Sequence, residues 1–372
     1  VNHTPSPSDF SGSADEGLPT VGGIDCDVHP AVPNTDALMP YLDDYWRQSF
    51  EMRGFNRLSL AMTSHPVNAP VNRRPDWAPP SGAPGSDLER MRTDLLDGFG
   101  LATAICNPLH GSLIMHSDDM AAVLCRAVND WLAREWLDAE PRLRGSIVIS
   151  AQNAELAVEE IERRAGDRRF VQVLMLAMND EPLGRRRYWP IYECAQAHGL
   201  PVAVHSGGSF RHAPTATGWP SHFIEDHVAQ AAIAESQLLS LVAEGVFAQF
   251  DKIRFVFTET GFTWVPSFFW RADKTWRGTR AETPWIKVQP SDLVKQHVRF
   301  TLQPVDIGSD PRDLERILKH LDCDEMLLFS TDYPHWQFDG RAALPGVFGE
   351  TLARKILIDN PLATYGRLAE AV

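Results

Sequence analysis

The sequence lacks what a disulfide-stapled, membrane-spanning or nucleic-acid-binding chain would need. Its five cysteines, Cys26, Cys106, Cys125, Cys194 and Cys323, are odd in number and form no CxxC pair, which argues against a disulfide framework. They lie mostly in expected strands and helices, as the reduced core thiols of a cytoplasmic protein do. No run approaches the ~18 consecutive apolar residues of a membrane span, and no basic region followed by an apolar stretch opens the chain. Positive charge is also short: Lys+Arg total 35 against Asp+Glu 49, a formal net charge of −14. Neutralising nucleic-acid phosphates requires the opposite balance, so the expected partner is a small molecule, and an anionic one must meet a local positive site. No internal repeat is visible.

What is present is a hydrophobic content of 44% over 372 residues, enough to bury the core of one large α/β domain. Residues 1–20, rich in Ser, Pro, Asp and Gly, read as a mobile leader. From residue 21 to 372, short apolar β-type runs alternate with longer helical patterns, the rhythm of a parallel sheet. Eight such runs fall at 21–28, 101–106, 144–150, 171–176, 201–205, 253–259, 298–302 and 326–331. Eight is the number that closes a (β/α)8 TIM barrel. Helices are expected at 88–98, 118–138, 153–166, 188–198, 225–249, 263–279, 311–320 and 343–358, with Asn360-Pro361 interrupting the last segment. The stretch 48–87, which contains HPVNAPVNRRPDWAPPSGAPG, reads as a loop insertion after the first strand, placed to act as a lid or a subunit contact. Arg73 and Arg74 are the cations it offers to a substrate carboxylate.

Five ligand-type side chains follow apolar runs: Asp27 and His29, His205, Glu259, and Asp332. In a parallel barrel, residues just past the C-terminal ends of different strands converge on one mouth and can share an ion. Asp27 and His29 are spaced i, i+2, so both leave one side of an extended chain. His205 ends PVAVH and precedes Ser206-Gly207-Gly208, where the two glycines' missing side chains allow a sharp turn and close approach of a substrate. Asp332 follows MLLFST; a carboxylate buried there needs a partner or an ion, and it either coordinates metal or takes a proton from bound water. Glu259 suits three roles, as ligand, general base or a partner orienting an imidazole.

Two histidines and up to three carboxylates form the N/O set of Zn²⁺, with Mn²⁺ or Fe²⁺ as alternatives if the site is carboxylate-rich. An open coordination position would activate water or hold a substrate's hydroxyl and carboxylate pair. His110, His222, Glu225 and His227 are within possible reach of the mouth, while His65, His198, His297 and His320 read as structural. Trp189, Trp264, Trp270, Trp276, Trp285 and Trp336 suggest aromatic packing.

The ordered set IDCDVHP, PYLDDYW, PVAVHSGG, FTETGFTWVPSFFWRAD, TLQP, FSTDYPHW and KILIDNPLATYGRL resembles the amidohydrolase-related group that includes aminocarboxymuconate-semialdehyde decarboxylase. The resemblance covers nearly the whole chain after the leader. It implies a metal-dependent barrel enzyme, commonly a homodimer, with Zn²⁺ the usual ion. It also implies Asp27, His29, His205 and Asp332 as ligands. In the decarboxylases of that group a catalytic His usually stands at the sixth-strand end, where this chain has Glu259-Thr260-Gly261. The first expectation is therefore a hydrolase in which metal-activated water attacks a lactone, amide or imide carbonyl, with Asp332, His205 and Glu259 catalytic. A non-oxidative decarboxylase is the alternative, with His110, His227 or His335 replacing the missing His. A barrel that only binds a small molecule is the third reading.

Overall fold

Each of the eight apolar runs forms a strand: β1 (Ile24–Val28), β2 (Thr103–Cys106), β3 (Leu143–Val148), β4 (Phe170–Met178), β5 (Val202–Gly208), β6 (Phe255–Thr258), β7 (Val298–Thr301) and β8 (Leu327–Leu328). The computed structural model describes residues 18–54, 77, 82–208, 212–308, 310–335, 340 and 343–369. The strands lie side by side in chain order, and each neighbouring pair is parallel. The segment after β8 returns to β1. Cys26 N–H donates to the Phe329 carbonyl, Asp332 N–H to that of Asp27, and His29 N–H to that of Tyr333. These bonds close the ring, and the architecture is the expected (β/α)8 barrel.

Helices cover the outside of the sheet and side chains fill its inside, so a strand such as β4 is buried at every position and reads as a continuous apolar run. Inside the barrel, Ile105, Val171, Val256 and Leu328 of the even-numbered strands pack with Ile24 and Cys26. A layer drawn from alternate strands is how such barrels fill their interior. Tyr365 and Leu368 pack against this layer from the C-terminal segment. Arg367 holds that segment, donating to the carbonyls of Phe170 (2.6 Å) and His198 (3.1 Å) at the N-terminal ends of the strands. The chain's last helices therefore floor the barrel, and its mouth is at the other end.

Several sequence expectations need correction. Part of the supposed 48–87 loop is helical: Asp44–Arg53 forms a helix capped by Asp43 and ended by Gly54 in the left-handed region. Trp77 is buried against Tyr333, and Arg73 and Arg74 lie outside the described residues. Within the supposed leader, residues 18–20 are anchored, Leu18 N–H to the Leu344 carbonyl and Thr20 Oγ1 to that of Phe99. The 225–249 helix divides into Phe223–Ala243 and Val246–Gln249 at Gly245, whose φ of +82° breaks the run. Pro361 does not interrupt the last helical stretch. A wide π turn over Lys355–Asp359 leads into Asn360–Thr364, carrying the chain past a residue with no N–H. No helix among the described residues is long and apolar enough to cross a membrane.

Candidate metal centre

A register shift between Asp25 and Val28 makes β1 irregular. An extra residue in a strand re-aims its side chains. Cys26 belongs to the apolar inner layer, while Asp27 and His29 both reach the polar mouth beyond it. Asp332 and Glu259 stand where their strands end, and both adopt left-handed backbone, φ +57° and +56°. For non-glycine residues this costs about 1–2 kcal/mol each, and the surroundings hold both in place. Asp332 N–H is bonded to the Asp27 carbonyl, and Glu259 N–H to Thr301 Oγ1.

The four expected ligands meet. His29 Nε2 lies 2.8 Å from Asp332 Oδ1 and 3.4 Å from Asp27 Oδ1. His205 Nε2 lies 3.6 Å from Asp27 Oδ2 and 3.6 Å from Glu259 Oε2. Ligand atoms of Asp27, His29 and His205 fall within 4.8 Å of one another, as do those of His29, Glu259, Asp332 and His335. Both imidazoles have a fixed tautomer: Nδ1–H donates to a carbonyl, that of Asn107 for His29 and of Ser206 for His205, each at 2.8 Å. A carbonyl only accepts, so Nε2 of each ring is left for the cluster.

Burial alone would raise the pKa of Asp27, but the imidazoles of His29 and His205 overcome it and hold the carboxylate low. Asp332 is likewise held low by His335 and His29 against the effect of burial. The histidines shift the other way. Burial would lower them, and the carboxylates of Asp27 and Asp332 raise His29 well above its ordinary value, as Asp27 and Glu259 raise His205. Asp25, behind the cluster, is pushed up to about 7 by burial despite its hydrogen bonds from Thr331.

Three buried ligand-type atoms, Asp27 Oδ2, His205 Nε2 and Asp332 Oδ2, have no hydrogen-bond partner. Orphaned polar atoms in a fully buried setting are costly, and here they belong to residues whose other donor atoms already cluster. Two imidazole nitrogens and carboxylate oxygens without a thiolate suit Zn²⁺, Mn²⁺ or Fe²⁺. The residues fit a divalent ion.

His335 joins this site. Its Nδ1 donates to Asp332 Oδ1 at 2.6 Å and its ring stacks on His29 with centroids 4.7 Å apart. The other two histidines named as substitutes have different surroundings. His110 is buried, accepts Ser112 N–H at Nδ1, and is pushed down to about 4 by burial. His227 stacks on Phe223 of its own helix. His222 and Glu225 cap that helix. His297 donates to the Ile253 carbonyl, and His65 and Trp336 lie outside the described residues. Trp189, Trp264 and Trp276 pack against the core, whereas Trp270 and Trp285 are exposed.

Sequence reasoning missed the polar residues beneath the ligands. Asn107 donates to Asp27 Oδ1 at 2.8 Å and accepts from Ser146 and Gln172. Ser206 donates to Glu259 Oε2 at 2.9 Å. Side chains of these types carry no spacing signal. Only the inward alternation along and just past β2, β3, β4 and β5 marks them.

Residues 24–367 match the amidohydrolase family profile. The chain belongs to the amidohydrolase family. This amidohydrolase is 24% identical over 270 residues to gamma-resorcylate decarboxylase of Polaromonas sp., a match spanning 69% of this chain and 80% of that protein. Its fold matches that of a dihydroxybenzoic acid decarboxylase from Polaromonas sp. solved with manganese and 2-nitroresorcinol, with TM-score 0.65, 20% identity, and 95% and 99% of the two chains covered. It also matches 5-carboxyvanillate decarboxylase from Novosphingobium aromaticivorans, solved with manganese and 4-hydroxy-3-methoxy-5-nitrobenzoic acid, with TM-score 0.68, 16% identity and coverage of 95% and 100%. An amidohydrolase from Mycobacterium avium subsp. paratuberculosis gives TM-score 0.70 at 20% identity, covering 93% and 99%. This amidohydrolase is a metal-dependent enzyme of its superfamily. The non-catalytic reading is thereby set aside. It would have been favoured by divergence of Asp27 and His205, whose ligand atoms instead face each other at 3.6 Å.

Proposed function

We propose that this enzyme is a non-oxidative decarboxylase of a hydroxylated aromatic acid, so the alternative expectation displaces the hydrolase. The observation that carries the reading is the Asp332–His335 contact of 2.6 Å. Decarboxylation needs a proton source beside the reacting carbon, and His335 supplies an imidazole where Glu259 had left none. The relatives named above point the same way, since decarboxylases recur among them. The hydrolase reading has no comparable support.

Asp27, His29, His205 and Asp332 would hold the ion, with Glu259 beside them as a third carboxylate. That oxygen-rich set favours Mn²⁺ over Zn²⁺. When bound, the ion supplies Lewis acidity that anchors adjacent hydroxyl and carboxylate oxygens of the substrate. Asn107 and Ser206 fix the carbonyls and carboxylates that orient both histidines. The Asp332–His335 pair delivers a proton to the ring carbon as its bond to the carboxylate breaks. The electron pair of that bond stays with the ring carbon, the new C–H bond forms there, and CO₂ leaves.

The test is a panel of ortho-hydroxybenzoic acids given to manganese-loaded enzyme in D₂O. The expected products are CO₂ and a phenol carrying one deuterium at the former carboxyl position. Hydrolysis of a lactone or amide panel, with no CO₂ from any acid, would overturn the proposal.

A further inference from the structure

A second cluster of ligand-type side chains lies at the floor end of the barrel, away from the mouth. Helix Trp189–Ala197 ends at His198, and Gly199, in left-handed backbone (φ +64°), turns the chain toward β5. Cys194 and His198 are four residues apart, so both project from one face of that last turn. The adjacent helix Ala154–Arg164 supplies Glu162. Its carboxylate is divided between them, Oε2 at 2.9 Å from His198 Nε2 and Oε1 at 3.4 Å from Cys194 Sγ.

The three ligand atoms lie within 4.8 Å of one another. Around a tetrahedral Zn²⁺ with bonds of ~2.0 to 2.3 Å, neighbouring ligand atoms sit roughly 3.3–3.7 Å apart, so small side-chain rotations complete the geometry. Among the described residues Glu162 pairs with no lysine or arginine, its ionic partner being His198. Cys194 is buried, and its thiol is pushed up to about 12 by that burial and by Glu162 and Glu193. A cation there would relieve an acidic surrounding. The framework is also fixed, because Arg367 holds the His198 carbonyl.

We propose that Glu162, Cys194 and His198 form a peripheral site for a thiophilic divalent ion of the Zn²⁺ class, with a fourth position open to water. The ion would bridge two neighbouring helices. On binding, the Cys194 thiol gives its proton to solvent, the proton that His198 Nε2 donates to Glu162 leaves that atom for Nδ1 or solvent, and the bonds Glu162 makes to His198 and Cys194 are replaced by bonds from all three residues to the ion. The mixed S/N/O donor set differs from the N/O set at the mouth, so the two sites differ in metal preference.

The site can be tested in the full chain, loaded with Mn²⁺ and then titrated with Co²⁺. Thiolate ligation gives a sulfur-to-cobalt charge-transfer band in the near ultraviolet, and cobalt at the mouth gives none. The expected result is a band saturating at one equivalent, lost in Cys194→Ser and weakened in Glu162→Gln, an exposed position whose change leaves the fold intact. No band in the wild type, or one unchanged by Glu162→Gln and His198→Ala, overturns the proposal even if Cys194→Ser fails to fold.

Discussion

Filling the mouth site with a divalent ion at about pH 6 should release about two protons per ion. The number follows from the two imidazoles. His29 and His205 each commit Nδ1–H to a carbonyl at 2.8 Å, which leaves only Nε2 to meet the carboxylates or an ion. Burial works against the charged rings, yet Asp27 and Asp332 raise His29 well above its ordinary 6.5, and Asp27 and Glu259 raise His205. The partner carboxylates Asp27 and Asp332 are held low and stay ionised. At about pH 6 the ion-free cluster therefore carries a proton on both Nε2 atoms, and each must leave before that atom can ligate. Because these pKa values are raised, protonation competes with the ion below them. Apparent affinity should climb by about two log units per pH unit while both rings are protonated, then flatten as pH passes each pKa. Calorimetric titration of Mn²⁺ into chelator-stripped enzyme, in buffers of different ionisation enthalpy, counts the protons. A count near zero with affinity independent of pH would refute the assignment of these rings as ligands.

Replacing Asp332 with Ala should abolish retention of the ion in elemental analysis. His335→Asn should keep the ion and lower CO₂ release by roughly 10²–10⁴-fold, the usual yield of a positioned acid; loss of the ion instead would make His335 a ligand. Glu140 is buried and accepts from Arg142 (2.9 and 3.0 Å) and Arg92 (2.9 Å). Those bonds, Arg142 first, lower its pKa from 4.5 to about 2. Its stabilisation is thus present above about 4.5 and lost as pH falls through about 2, and Glu140→Gln should cost about 2 kcal/mol near neutrality. Urea midpoints should show that gap narrowing by about pH 3, and a constant gap would contradict the pairing. Arg367→Ala removes two bonds from a charged donor to buried carbonyls and should cost about 2–4 kcal/mol in denaturation. Manganese content should be unchanged, because the floor lies apart from the mouth.

The barrel was legible because its strands are buried on both faces, which leaves apolar runs no other element explains. Even β8, only Leu327–Leu328 by its hydrogen bonds, sits inside the longer run MLLFST. Helix Asp44–Arg53 escaped notice for the converse reason. It is mostly polar and buries Phe50 alone, so it carries no apolar stripe for the 3.6-residue period to reveal. At the site, position after a strand was enough to single out Asp27, His29, His205, Glu259 and Asp332 as residues that the fold brings together. It could not rank His335 above His110, because that depends on the left-handed turn at Asp332 that brings the imidazole back over the carboxylate. The support from Asn107, Ser146 and Gln172 was invisible for a different reason: amides and hydroxyls inside a barrel look like any strand polar residue until their partners are known.

The bond between His29 and Asp332 spans 303 residues, and that distance sets an order of events during synthesis. A ribosome delivers Asp27 and His29 long before Asp332, so this contact can close only after β8 has been made, and its long loop carries a correspondingly large closure entropy.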